Sequence, residues 1–293
     1  MKLGLIGFGE VGFEMSKGLK DAGLQGILAY DVMQGHAVYG PLIKERAQAS
    51  GVTLVASPEE VLKDIALVIA AVPGDKALQT ARGLKHLLKK GTLYVDVSAS
   101  SPEVKRNIWE EIKGAGVLFV DGAMLGPLPV YQHKVPTLVS GSGSDLYMKL
   151  MQPYGMELEK VSDIPGEATG IKLVRSIIMK GLPALFIEAL EAASIMKVDH
   201  LVLKSLATTL NASSFEQTFN RLVTGSAIHA QRRAHEMENV IEMLEGIHVK
   251  PTMSKATFER LTWLASKNLK EKFGGKTPKE WREVVDAWEQ TRK

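Results

Sequence analysis

Residues 3–12 read LGLIGFGEVG, an apolar run that passes directly into Gly7-Phe8-Gly9-Glu10-Val11-Gly12. The following FEMSKGLKDAG has the spacing of an amphipathic helix, so the glycines fall between a strand and a helix. Each glycine answers a separate need. Gly7 permits a tight turn, Gly9 lets backbone approach a pyrophosphate, and Gly12 lets the helix close on the strand. Together with the backbone of Phe8, Glu10 and Val11, they form a loop whose helix N-terminus faces phosphates. Asp31, at the end of the next strand-like run, is placed to accept hydrogen bonds from an adenosine ribose. The stretch VMQG at 32–35 has no Arg or Lys, which favours NAD. Lys44 and Arg46 in the next helix leave NADP possible.

Outward from this turn, KLGLIG, GILAYD, VTLVAS, IALVIAAV, TLYVDVS, VLFVDGAM and PTLVSG alternate with helical stretches. Continuous apolar strands separated by helices predict a doubly wound α/β fold of Rossmann type, with a parallel sheet covered on both faces. Ser57-Pro58-Glu59-Glu60 and Ser101-Pro102-Glu103 mark helix starts. After VSDIPGEATG the period is helical throughout. The sequence therefore predicts a dinucleotide-binding domain over 1–165 and an all-helical domain over 166–293. Helices are expected at 167–196, 199–210, 213–222, 226–245, 252–267 and 278–291. Pro183 is expected to bend or end the first, and Thr277-Pro278-Lys279-Glu280 to cap the last.

Thirty-six Lys and Arg against 33 Asp and Glu leave a net charge of +3 without basic runs, which argues against a nucleic-acid partner. Without cysteine there is no disulfide, thiolate chemistry or cysteine-ligated metal. No apolar run approaches the roughly 18 residues of a membrane span, and the first residues lack a signal-peptide core, so a cytoplasmic protein is expected. His235 with Glu236 or Glu238 lacks a third ligand at workable spacing, and no metal is expected.

Residues 168–181, ATGIKLVRSIIMKG, open the helical part. On a helix, Lys172, Arg175, Ser176, Met179 and Lys180 gather on one side and Leu173, Val174, Ile177 and Ile178 on the other. The apolar side is expected to anchor the helix to the helical core. In AIHAQRRAHEMENVIEML a second helix groups His229, Arg232 and Arg233 at spacings of three and four.

These motifs resemble the β-hydroxyacid dehydrogenase family, which includes 6-phosphogluconate and 3-hydroxyisobutyrate dehydrogenases. Besides GLIGFGEVG, the family's DxSxxSP segment stands as Asp96-Val97-Ser98-Ala99-Ser100-Ser101-Pro102, and its loop after the fourth strand as Val72-Pro73-Gly74-Asp75. The resemblance implies that Val72, Pro73 and Ser98 contact the cofactor near the ribose and nicotinamide, with Ser98 also within reach of substrate. The family's DAPVSGG stands as Asp121-Gly122-Ala123-Met124-Leu125-Gly126-Pro127, which keeps the aspartate and Gly126 but loses the serine. Substrate recognition is therefore expected to differ, with Gly126 backbone still available. Lys172 falls on the family's catalytic lysine, while Arg175 and Ser176 replace its amide pair. This variant is similar to a branch often labelled phosphogluconate-dehydrogenase-like, with its own C-terminal helices.

Hydride transfer from an alcohol needs a base for the hydroxyl proton, and the reverse needs an acid. Lys172 serves either way if partial burial and the nearby Arg175 bring its pKa down. Arg175 offers a fork for a carboxylate or phosphate, Ser176 a hydroxyl, and Lys180 either a further anion contact or a solvated charge. His229, Arg232 and Arg233 either close over an anionic tail or lie on a wet surface. The expectation is an NAD(P)-dependent dehydrogenase or reductase acting on a small anionic β-hydroxyacid or its semialdehyde or keto form, working as a homodimer. An imine reductase, in which this lysine is usually replaced, and a non-catalytic dinucleotide-binding sensor are the alternatives.

Overall fold

The computed structural model describes residues 2–290. Its strands are β1 (Leu3–Ile6), β2 (Ile27–Tyr30), β3 (Thr53–Leu54), β4 (Leu67–Ala70), β5 (Leu93–Asp96), β6 (Leu118–Met124), β7 (Thr137–Ser140) and β8 (Leu158–Ser162). The helices between them are α1 (Glu10–Asp21), α2 (Tyr39–Ser50), α3 (Pro58–Leu62), α4 (Ala77–Leu84), α5 (Pro102–Ile112), the single-turn α6 (Leu128–Tyr131) and α7 (Ser144–Met151). Beyond β8 come α8 (Glu167–Ile195), α9 (Asp199–Leu210), α10 (Phe215–Gly246), α11 (Thr252–Ala265), the short α12 (Leu269–Lys272) and α13 (Trp281–Glu289). The chain divides into two compact units, Met1–Ser176 and Ile177–Lys293, so the division falls inside α8 and not at residue 165.

The first unit is a Rossmann-type sheet in the order β3-β2-β1-β4-β5-β6-β7-β8. Along β4 the side chains alternate. Leu67 and Ile69 enter one core with Met15 and Leu19 of α1, while Val68 and Ala70 enter the other with Ala81 of α4 and Ile108 of α5. A sheet buried on both faces needs apolar residues at consecutive positions, which is why these strands read as continuous runs. The hydroxyls of Ser57 and Ser101 accept from the amides of Glu60 and Val104, with proline following each cap, as the sequence predicts.

Two features of the sheet depart from the sequence reading. β6 and β7 pair antiparallel, because only the single-turn α6 and a 3-10 turn lie between them and a parallel return needs a full crossover. The eighth strand went unread because Glu159 and Lys160 interrupt it. It is an edge strand, and its Lys160 pairs with Asp145 and Asp163.

α8 continues through Pro183, so the helix expected over 167–196 is not ended there by the missing amide donor. Two expectations for the helices are corrected. The segments expected at 213–222 and 226–245 are one helix. Gly225 does not break it but gives room to Arg233, which lies 3.3 Å from where a Cβ would stand. The last helix begins at Trp281, and its capping box is formed by Glu280 and Glu283, not by Thr277. Within the helical unit, Glu188 of α8 is buried and accepts from Met253 N (2.6 Å), Ser254 N (2.8 Å) and Ser254 Oγ (2.6 Å) at the start of α11. Burial pushes its carboxyl up, but these donors, led by the Ser254 hydroxyl, outweigh that and hold it below the ordinary value. Among the described residues no helix is long and apolar enough to cross a membrane.

Candidate active site

One row of the sheet registers Tyr30, Ile6, Ala70, Asp96, Asp121 and Ser140 across β2, β1, β4, β5, β6 and β7. The loops that begin at Gly7, Asp31, Ala71 and Val97 all leave from this level, at the carboxyl ends of the parallel strands. The chain order reverses between β1 and β4, which is where such sheets take ligands.

The glycines of the first loop are distinct in the structure. Gly7 has φ +91°, and a Cβ there would stand 2.5 Å from Ala71 O. At Gly12 a Cβ would stand 2.7 Å from Gly7 O, so this residue sets the closeness of α1 to the strand. Gly9 has no heavy atom within 4 Å of its Cβ position, and it precedes α1 with no side chain on the helix's first amides. That open cradle at a helix start fits a pyrophosphate. Phe8 contributes differently from expectation. Its ring is fully buried in the core, and its amide donates to Asp31 Oδ2 at 2.7 Å. Asp31 Oδ1 accepts from Met33 N at 2.8 Å, so the carboxylate braces both loops while lining the cleft.

The cleft over the switch point has a volume of about 590 Å³, within the range of ligand pockets. Gly7, Gly9, Asp31, Val72 and Pro73, which the sequence marks as cofactor contacts, line it, and Thr80, Leu84 and Leu87 add a wall. Those three sit on or just past α4, beyond any motif, so only their place in the fold reveals them. Glu10 is exposed and Val11 half-buried at the first turn of α1. Lys76 is the cation that lines the cleft; Lys44 is exposed elsewhere, and the Arg46 guanidinium lies 5.7 Å from the Phe13 ring centroid.

Ser98 is buried. Its hydroxyl donates to Asp96 Oδ1 at 2.5 Å, so it faces the interior and does not line this cleft. At the other end of the row, Asp121 accepts from Thr169 N (2.9 Å) and Thr169 Oγ1 (2.6 Å), and Ser140 Oγ accepts from Ala168 N (3.1 Å). These bonds fix the first turn of α8 to the carboxyl edge of the sheet. Lys172 follows one turn later and is half-buried, as is Ser176, whose hydroxyl donates to Lys172 O. Arg175 is exposed. It lines a separate cleft of about 660 Å³ with Glu167 and with Arg106 of α5, a residue no motif had marked. Gly126 is half-buried, and a Cβ there would stand 3.1 Å from the Tyr131 ring.

The apolar side of α8 is not the anchor the sequence suggested. Leu173, Val174, Ile177 and Ile178 are exposed, and the polar positions Lys172 and Ser176 are better covered. In the helical unit Lys180 is exposed. His229 and Arg232 line a cleft of about 760 Å³ with His235 and Lys270. Arg233 is separated from them, donating to Ser226 Oγ at 2.5 Å. Glu236 pairs with Arg232, and Glu238 with His235. No group of three His, Cys, Asp or Glu suited to a metal occurs among the described residues.

Residues 2–148 match the NAD-binding domain of 6-phosphogluconate dehydrogenase, half of the chain. The chain belongs to the β-hydroxyacid dehydrogenase family. The chain thus carries an NAD-binding domain within a family of oxidoreductases. Residues 193–264 match a domain of unknown function. The chain is similar to mitochondrial 3-hydroxyisobutyrate dehydrogenase of Homo sapiens, 26% identical over 52% of this chain and 44% of the human one. It thus spans less than half of that dehydrogenase. A solved conserved protein of unknown function, described as structurally similar to 3-hydroxyacid dehydrogenases, is 31% identical, with a TM-score of 0.61 over 92% of this chain and 98% of the other. The reductive aminase of Aspergillus terreus has a TM-score of 0.74 at 16% identity over 97% of this chain and 98% of its own, a likeness of fold alone.

Proposed function

We propose that this family member transfers a hydride between nicotinamide and a small anionic β-hydroxyacid, or its semialdehyde or keto form, with Lys172 as general acid and base. The bound nicotinamide supplies the hydride acceptor in one direction and the donor in the other. In oxidation the neutral Lys172 amine takes the hydroxyl proton as the C–H bond breaks and the carbonyl forms; in reduction the ammonium returns it. The observation that carries this reading is the anchoring of the first turn of α8 on Asp121 and Ser140, level with the cofactor loops, with Lys172 half-buried one turn on. Arg175 and Arg106 give a positive flank beside that turn, which supports an anionic substrate.

The helical domain is proposed to pair with a second copy. Ile187 and Leu190 of α8 and Leu201 and Leu203 of α9 are all more than half exposed, more apolar surface than a lone chain keeps in water. A second reading, reduction of an imine, is favoured by the fold shared with the reductive aminase. Retention of Lys172 favours the alcohol.

A screen of 2- and 3-hydroxyacids, sugar acids and cyclic imines with NAD and NADP, repeated with Lys172→Ala, separates these readings. Turnover of a hydroxyacid that disappears in the variant supports the proposal. Turnover of imines alone moves the assignment to the second reading, and tight NADH binding without any turnover identifies a sensor.

A further inference from the structure

Lys105 of α5 is fully buried, although no motif marks it. Its ammonium donates to Asp96 O (2.9 Å) and Asp96 Oδ1 (2.5 Å), and lies 3.4 Å from Asp121 Oδ1. A lysine without water is retained only where acceptors replace its hydration, and here two carboxylates share it. Asp96 and Asp121 are register partners on β5 and β6, so without this cation two acids would face each other in the core.

The two acids lead to different places. Asp96 Oδ1 also accepts from Ser98 N and Ser98 Oγ, which shapes the loop leading to Pro102. Asp121 accepts from Thr169 N and Oγ1 in the first turn of α8, one turn before Lys172. Pro102 closes the circuit, since its carbonyl oxygen lies 2.6 Å from the Cβ position of Gly166, just before α8.

We infer that Lys105 is a positioning residue for the hydride-transfer reaction, joining the Ser98 loop to the turn of α8 that bears Lys172 through Asp96, Asp121 and Thr169. This rests on the proposed role of Lys172. Lys105 touches neither cofactor nor substrate. It fixes the start of α8 against the strand row that carries the cofactor loops, and a displacement of about 1 Å at a reacting group can lower a rate by roughly a hundredfold.

The test uses Lys105→Met, which keeps the stem and removes the charge, together with Thr169→Val and Thr169→Ser in the full-length protein. Three readouts are compared: hydrogen exchange of residues 167–172, NADH affinity, and kcat across pH with the hydroxyacid that turns over best. Lys105→Met and Thr169→Val are expected to speed exchange in that turn about tenfold. They should lower kcat by about tenfold or more with a displaced pH profile, while NADH affinity stays within about threefold; Thr169→Ser should behave as wild type. A folded Lys105→Met with unchanged exchange and unchanged kcat overturns the inference. If Lys105→Met does not fold, equal behaviour of Thr169→Val and Thr169→Ser overturns it, and a difference between them upholds it. Full turnover in Lys172→Ala would instead remove the role of Lys172, whatever the exchange data show.

Discussion

In the sheet unit Leu3, Leu5, Val68, Ile69 and Tyr94 are inaccessible to water, whereas in the helical unit Ile177, Ile187, Leu201 and Phe215 are 67–72% exposed. A parallel sheet wrapped by its own crossover helices hides both apolar faces within one chain. Helices α8 and α9 have apolar residues around much of their circumference, and the chain does not cover them. The comparison teaches a division of labour. The sheet unit covers its own apolar strands and holds the cleft over the switch point, and the helical unit presents surface suited to assembly.

The sharpest way to break this division is to compare Lys172→Ala with His229→Ala/Arg232→Ala. The first should lower kcat by about 10²–10⁴-fold with cofactor affinity nearly unchanged, and the second by about tenfold at most. Steady-state kinetics decides, and an equal loss from both would show that the chemistry is not confined to the α8 turn. Next in size, Ile187→Glu/Leu203→Glu should convert a dimer to a monomer by sedimentation velocity, with the far-ultraviolet circular dichroism unchanged. A variant that stays dimeric would move self-contact away from α8 and α9.

Within the cleft, Gly9→Val should weaken NADH binding by about tenfold or more with little change in Tm, because its side chain has room in the fold but occupies the phosphate approach. Gly7→Val should instead destabilise the protein, because of the positive φ and the Ala71 carbonyl. Calorimetry and a binding titration separate the two. The smallest effect is expected at Glu188, where Glu188→Gln should cost about 1–2 kcal/mol by denaturant unfolding. The folded pKa of Glu188 lies below its ordinary value of 4.5, so its contribution is fully present above that value and is lost as pH falls through the folded one. The variant should lack that acid-side decline, and the gap between the two proteins should close on acidification.

The candidate dinucleotide cleft was legible because its requirements are local. The turn at Gly7, the approach at Gly9 and the acid at Asp31 lie on consecutive elements, and each fits only a narrow choice of residue. The helix starts at Ser57 and Ser101 were legible for the same reason. The turn bearing Lys172 was found through motif spacing, but its setting was misjudged, since helical periodicity sorts residues into sides without saying which side is covered. His229 and Arg232 share a cleft, while Arg233 bonds Ser226 two turns back on the same helix, a pairing that spacing alone does not reveal. Lys105 and Arg106 were silent in sequence because nothing near them in the chain distinguishes a buried lysine, or an arginine facing a cleft, from a solvated one.

By itself the sequence determined what depends on near neighbours: the order of the first seven strands and their helices, the glycine turn, the acid that follows β2, and the switch to helical period after the sheet. Only the tertiary structure decided what depends on residues brought together from afar. It set the antiparallel β7, the uncovered face of α8 and the buried meeting of Asp96, Lys105, Asp121 and Thr169. The reason is physical: backbone geometry and turn sterics act over a few residues, whereas burial and charge pairing are properties of a place in the fold.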